Sequence, residues 1–443
     1  MATLSTNKDL SLPNVWENDA VSIAAIERNR IVHPKCVPVT TINTPTTTAT
    51  SITETQVTIS RVSLALDSLG FMSLHQPLPK KHYNEQKTGQ TIQDAVPGSL
   101  VTFNAAISSN ERPERVVVPT QNLKETGLAD LCILCPSRPA TEEELLRVHE
   151  KSHVDKMLSC VTCEPCHILD VCRSFNTVFM NQFSVTSALH AAGSTIDATK
   201  MVLSNEADHA VCVIRPPGHH SEGACAMGFG LFNSVGIAAA HALETVERVL
   251  IVDWDIHHGN GTQEMFVNNS NVCYISAHSL YAFPAFARDD QIDKQIPTYV
   301  GEGNAKGTTI NCAWTGVNYG DVEYCYLFDQ LIVPVAKEFN PSLIIVSAGF
   351  DSAAGDEMGY SVTPTGYGKL LKRLKNIGRV VVVMEGGYNI PALTHGIHAC
   401  VAELLSIRVE ENDDSEEDEP CDEALNNINA TIDAQKLYWN CLN

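Results

Sequence analysis

Positive charge is scarce in this sequence: 30 Lys and Arg stand against 52 Asp and Glu, for a net charge of −22 and a pI near 5.1. A chain that grips a nucleic-acid backbone needs the opposite surplus, so direct nucleic-acid binding is not expected and basic partners are favoured. Missing too is any apolar run long enough to cross a bilayer, so no membrane role is expected. The opening "MATLSTNKDLSLPNVWEND" lacks the basic stretch and apolar core of a secretory leader. The expectation is a protein that is not secreted and resides in the cytoplasm or nucleus, with its 15 cysteines as reduced thiols. Part of the negative charge is local. "VEENDDSEEDEPCDE" holds ten carboxylates between Glu410 and Glu423, and residues 409–423 read as a solvated, flexible acidic segment.

What is present suits a large folded domain, since 44% of 443 residues are hydrophobic. Residues 1–105 include the threonine-rich "TTINTPTTTATSITETQVTIS", which has too few large apolar side chains for a core, and are expected to be low-complexity and largely disordered. The folded domain is expected over 106–443. In "ATEEELLRVHEKSHVDKML" the pattern predicts a helix, with Thr141 as N-cap and Glu144 completing a capping box. "VTSALHAAGSTIDATKMVL" predicts another, and a C-terminal helix is expected over 424–441. Four short β-branched runs, "HAVCVI", "RVLIVDW", "SLIIVSAGF" and "RVVVVME", do not alternate and are separated by helical or loop sequence. They predict buried parallel strands in an α/β domain, whose ligands lie beyond the carboxyl ends of the strands.

The four runs end in "RPPGHH", "DWDIHHGNG", "AGFDSAAGD" and "MEGGYN". Asp253, Asp255 and His257 stand two apart, so an extended backbone turns all three to one face and Trp254 and Ile256 to the other. Asp255, His257 and Asp351 form a candidate three-ligand set for Zn²⁺ or another divalent metal, with a coordination position left open. His219 and His220 are candidate proton carriers beside it, with Asp253 and Asn260 as candidate hydrogen-bond partners. A carboxylate partner raises a histidine pKa, and an amide leaves it closer to neutral. Tyr388 follows two glycines and is a candidate oxyanion donor. Taken alone, each feature also fits a plainer role: Asp and His satisfying one another, a histidine pair capping a strand, a tyrosine in a surface turn. Convergence at four strand ends favours the metal site.

These motifs, with "GFGLFNSVGIAA" and "SAGFDSAAGD" in order, resemble the zinc-dependent histone deacetylases from about Arg112 to the C-terminus. The resemblance implies an arginase/deacetylase-like three-layer α/β fold with a central, mainly parallel sheet flanked by helices, and an amidohydrolase acting on acetyl-lysine. It implies Zn²⁺ on Asp255, His257 and Asp351, the His219–His220 pair as proton carriers with His220 the main base and acid, and Tyr388 on the substrate carbonyl. Phe229 and Phe283 are implied as walls of the acyl-lysine tunnel, and the Gly228 carbonyl as acceptor for the lysine amide. K⁺ is implied at Asp253, Asp255, His257, Ser276 and Ala277, and a second K⁺ near Phe266, Asn269 and Val272.

Asn260, the "DWD" triplet and the C-terminal "CDEALNNINATIDAQKLYWNCL" resemble class II, and Tyr388 resembles class IIb, since class IIa has histidine there. Met358 stands where the polyamine-deacetylating branch carries a gatekeeper glutamate, so acetyl-lysine in histone tails, tubulin or another protein is the expected substrate. Acetylpolyamine hydrolysis and a weakly active acetyl-lysine-binding scaffold are the alternatives. Corepressor or cytoskeletal partners are implied. The sequence departs from the family at "SSNERPER" and around Phe283, and "FNTVFMN" offers Asn176 or Thr177 as a contact for the substrate backbone. Cys160, Cys163, Cys166, His167 and Cys172 form a dense cluster that reads as a surface insertion, with a structural Zn²⁺ as its alternative.

Overall fold

A computed structural model describes residues 61–66, 110–407 and 419–443. Among these described residues eight strands make one sheet: β1 (Val62–Leu66), β2 (Ile133–Cys135), β3 (His209–Val213), β4 (Val249–Asp253), β5 (Val272–Ser279), β6 (Thr309–Trp314), β7 (Leu343–Ala348) and β8 (Val380–Met384). Their order is β2-β1-β3-β8-β7-β4-β5-β6, and every neighbouring pair is parallel. The four apolar runs are therefore the contiguous centre of the sheet.

Because strand side chains alternate, each central strand feeds two cores. Val211, Val213, Leu250, Val252, Ile344, Val346, Val380 and Val382 point into one. Ala210, Cys212, Val249, Ile251, Leu343, Ile345, Val381 and Val383 point into the other. The eleven longer helices among the described residues are α1 (Glu114–Glu125), α2 (Lys151–Ser159), α3 (Pro165–Cys172), α4 (Ser184–Leu203), α5 (Ser234–Ala242), α6 (Asn260–Phe266), α7 (Asp321–Leu327), α8 (Val333–Phe339), α9 (Pro364–Lys375), α10 (Ile390–Leu404) and α11 (Asp422–Gln435). Residues of α1 and α7 to α11 cover the first face, and those of α4, α5 and α6 cover the second. Apolar side chains on both faces explain why the strands read as unbroken apolar runs.

The structure differs from the sequence expectation in four places, one being the C-terminal helix, expected over 424–441 and found over Asp422–Gln435 with a separate 3-10 turn at Asn440–Leu442. Val62–Leu66, inside the segment expected to be disordered, is β1, paired from Val62↔His209 to Leu66↔Val213 and also with β2. Its five residues supply backbone pairing, with Val62 and Leu64 fully buried. The rest of 1–105 lies outside the described residues.

The helix expected from Thr141 is broken. Thr141 and Glu144 form the capping box, with bonds of 2.8 and 3.2 Å, but the turn ends at Leu145 and α2 begins at Lys151. Leu146 to His149 donate to carbonyls one turn back, and the next N–H, that of Glu150, donates instead to the distant Gly223 carbonyl at 2.7 Å. The acidic segment expected over 409–423 lies partly outside the described residues, while Asp422 and Glu423 form the first turn of α11, where carboxylates face the positive end of the helix. Gln435 near its end donates to the Thr309 carbonyl at 2.9 Å, tying the helix to edge strand β6.

His149, at the break, packs beneath the loop after β3. Its Nδ1–H donates to the Glu222 carbonyl and its Nε2 accepts from Asn233 N–H, both at 3.0 Å, so the ring is neutral. Burial, helped by nearby His153, pushes its pKa down to about 3. The unfolded chain takes up this proton near pH 6.5 and the folded chain does not, so stability is full above that pH and falls below it. Between pH 7 and 5 the wild type is expected to lose about 2 kcal/mol more than His149→Gln, by urea denaturation at each pH. Parallel pH profiles for the two proteins would refute the assignment.

Candidate active site

From β4 the chain crosses to β5 and β6 on one side, and from β7 it crosses to β8 on the other. The crevice between β4 and β7 is thus a topological switch point, where open parallel sheets bind ligands. Asp255 and His257 follow β4, and Asp351 follows β7.

Donor atoms of Asp255, His257 and Asp351 lie within 4.8 Å of one another, and among the described residues no other group of three converges in this way. His257 Nδ1 faces Asp255 Oδ1 at 3.1 Å and Asp351 Oδ2 at 2.9 Å. The backbone orients the carboxylates: Gly386 N–H donates to Asp255 Oδ2 at 2.7 Å, and Ile256 N–H to Asp351 Oδ1 at 2.9 Å. Any side chain at 386 would strike both carboxylates, which explains a glycine at that position. Trp254 and Ile256 are turned away into the apolar core.

The electrostatics ask for a cation. Burial alone would lower the His257 pKa, yet Asp255 and Asp351 raise it to about 10. Burial, together with the Asp255 charge, pushes Asp351 up to about 7. Two oxygen donors and one nitrogen donor around a shared point suit a divalent metal, whose charge would take the place of a proton on the imidazole.

The adjacent histidines sit with ring centroids 4.0 Å apart in opposite environments. His219 Nδ1 donates to Asp253 Oδ2 at 3.1 Å, and the same carboxylate accepts from Tyr274 OH at 3.0 Å. Burial opposes charge on His219, but Asp255 and Asp253 prevail and raise its pKa to about 10. His220 Nδ1 instead faces Asn260 Oδ1 at 2.9 Å. Burial, then the His219 and His257 charges, hold His220 well below its ordinary pKa. One member of the pair is cationic and the other is a neutral base.

Around them Gly228 takes φ +51°, and a side chain there would run into the His220 ring. Phe229 has φ 66° and Thr177 φ 56°, and Phe229 N–H donates to the Thr177 carbonyl at 2.9 Å. Two non-glycine residues in this costly region, facing one another, mark a held loop. Gly228 N–H donates to the Asn176 carbonyl, and the Asn176 side chain reaches the Ala287 carbonyl at 3.5 Å. Phe283 stands edge-on to His220 at 4.9 Å, and Phe229 lies 6.0 Å from the Tyr388 ring. Met358 is half-buried and packs against the main core.

Ser276 pairs with Asp253 across β4 and β5, with Ala277 next to it. Phe266, Asn269 and Val272 fall in the turn from α6 to β5. In the cysteine cluster, Cys160 and Cys172 are buried in an apolar core while Cys166 and His167 are exposed, so these groups do not converge.

Sequence reasoning missed the supports. Buried Glu385 accepts from the N–H groups of Gly218 (2.6 Å) and His219 (3.1 Å), fixing the histidine loop. Arg115 donates to the carbonyls of Gly387, at 2.7 Å, and Glu385, and its guanidinium stacks 5.0 Å from the Tyr388 ring. Asp356 accepts from the N–H groups of Tyr388 and Asn389, both at 2.7 Å. The sequence carries a faint signal for Glu385 alone, a charge at the end of a valine run.

A histone deacetylase domain model matches residues 109–404. The chain is 35% identical over 394 residues to histone deacetylase HDA1 of Saccharomyces cerevisiae, covering 82% of this chain and 54% of that protein. It is 35% identical over 339 residues to the polyamine deacetylase HDAC10 of Homo sapiens, covering 75% of this chain and 50% of that protein. The chain thus spans about half the length of the curated relatives it matches. The crystal structure of the HDA15 HD domain superposes with a TM-score of 0.69 at 27% identity, over 86% of this chain and 96% of that one. The parallel sheet, its switch-point cluster and these similarities place the chain in the histone deacetylase family, among its class II members.

Proposed function

We propose that the protein is a Zn²⁺-dependent lysine deacetylase of class IIb type that hydrolyses acetyl-lysine in proteins. The observation that carries this reading is the oppositely tuned histidine pair beside the Asp255, His257 and Asp351 donors. Zn²⁺ on those donors would supply a Lewis acid that polarises the amide carbonyl and lowers the pKa of water.

The chain's own residues do the rest. Phe229 and Phe283 form apolar walls for the aliphatic lysine stem, and the Gly228 carbonyl accepts from the substrate amide N–H. His220 is neutral, so it can take a proton from the attacking water and return it to the departing lysine nitrogen. His219, held cationic by its carboxylates, stabilises negative charge developing on the acyl carbon's oxygens. Burial keeps the Tyr388 phenol protonated, so it donates to the carbonyl oxygen as charge gathers there. K⁺ is proposed beside Asp253, Asp255, His257, Ser276 and Ala277. His278 Nε2–H donates to the Gln295 carbonyl, so its Nδ1 accepts from the Ser276 hydroxyl, leaving that oxygen's lone pairs to face a cation. The second K⁺ is proposed at Phe266, Asn269 and Val272.

The similarity to a polyamine deacetylase supports a second reading, acetylpolyamine hydrolysis. Met358 offers no carboxylate to a polyamine ammonium, which favours acetyl-lysine.

With a fluorogenic acetyl-lysine peptide, Tyr388→Phe is expected to lower kcat by about 100-fold or more while leaving KM within a few-fold. An active Tyr388→Phe would reject the assigned role. Metal analysis is expected to find one tightly held Zn²⁺ per chain in the wild type and its loss in Asp255→Ala, with activity restored to chelator-stripped wild type by Zn²⁺. Acetylspermidine is expected to be the poorer substrate. If it is preferred over the peptide, the second reading stands; if neither is hydrolysed by zinc-loaded protein, the deacetylase reading fails.

A further inference from the structure

His220 works as a base only if its proton is on Nδ1 and its lone pair on Nε2. Its Nδ1 contact is the Asn260 amide, whose two ends are almost equal in shape and opposite in chemistry. With the oxygen toward His220, Nδ1 carries the proton. With the amide reversed, an N–H would point at Nδ1, the proton would move to Nε2, and the base would be blocked.

The surroundings decide which end faces the histidine. Asn260 Nδ2 donates to Glu222 Oε1 at 2.7 Å, and a carboxylate can only accept. Reversal would set the amide oxygen against that carboxylate. Glu222 is itself buried and gripped by a two-pronged ion pair, Arg288 to Oε1 and Oε2, each at 2.6 Å. Arg288 is on the loop that carries Phe283, whose ring stands against His220. The Glu222 carbonyl also receives His149 Nδ1–H, which fixes the backbone of the histidine loop.

We infer that Glu222, clamped by Arg288, is a positioning residue that orients the Asn260 amide and thereby sets the tautomer of His220. Arg288 makes the tunnel-wall loop part of this device. The chain is a relay of orientation from Arg288 to Glu222 to Asn260 to His220, with no proton passed along it.

The inference rests on the proposed role of His220, so its test has one arm that needs no substrate. In ¹⁵N-histidine NMR of the full chain, with His220 identified by the signal missing from His220→Gln, wild type is expected to show Nδ1 protonated and Nε2 bare. Glu222→Ala is expected to show a mixture of the two tautomers. An unchanged His220 signal in that variant would overturn the inference whatever the enzyme hydrolyses.

The second arm is kinetic. Glu222→Ala is expected to lower kcat about tenfold with KM little changed, and Arg288→Lys to retain part of what Arg288→Ala loses. In an Asn260→Asp background there is no amide to orient, and Glu222 instead lies against a second carboxylate, so adding Glu222→Ala is expected to raise kcat. A loss of the same size in both backgrounds would mean that Glu222 is merely structural, and would overturn the inference.

Discussion

Four carboxylates, Asp253, Asp255, Asp351 and Glu385, are fully buried within the same few strand ends, and the surrounding structure is arranged to make that tolerable. Uncompensated, such a concentration of like charge in a dry interior would oppose folding by far more than a domain's net stability. The compensation comes from two sources. Backbone N–H groups of Gly218, His219, Ile256 and Gly386 turn inward to the carboxylates, and His219 carries positive charge among them. A bound dication extends the same logic. The groups that make the site habitable are those that make it reactive.

The parallel sheet is what permits this. Strands running the same way bring all their carboxyl ends to one edge, and the switch between β4 and β7 opens a crevice there instead of a packed seam. Apolar cores on both faces hold the sheet rigid beneath it. Loops after β3, β4, β7 and β8 can then be shaped for chemistry, down to the strained backbone at Phe229, which is held against Thr177 of the connection from α3 to α4.

The centre of this design is legible in the sequence because parallel strands buried on both faces have no choice but to be apolar. "VLIVD" and "VVVVM" can scarcely be anything else, and the loops at their carboxyl ends are where chemistry must sit. Strands β5 and β6, with "HS" and "TIN" among their apolar residues, carry polar groups that serve the neighbouring site and blur the pattern. Strand β1 is invisible for a different reason: its stabilisation comes from backbone pairing and two buried apolar side chains, Val62 and Leu64, beside a polar tract. The supporting residues are equally hidden. Arg115 reaches Gly387 across 272 positions, and Asp356 acts through two backbone N–H groups, so no local spacing records either contact. At the break between Leu145 and Lys151, Glu150 N–H likewise bonds a distant carbonyl, that of Gly223.

The position of β1 bears on how the domain can be cut. A domain boundary drawn by composition near residue 105 would remove the strand that lies between β2 and β3. Strand β2 would lose its one strand partner, and β3 would present a row of bare N–H and C=O groups from His209 to Val213, a template for pairing with another chain. Such a fragment would keep every motif residue and still be prone to self-association, with the unprotected edge ending six residues before the histidine pair. The unremarkable "RVSLAL" therefore belongs inside any expressed fragment intended to behave as the native domain.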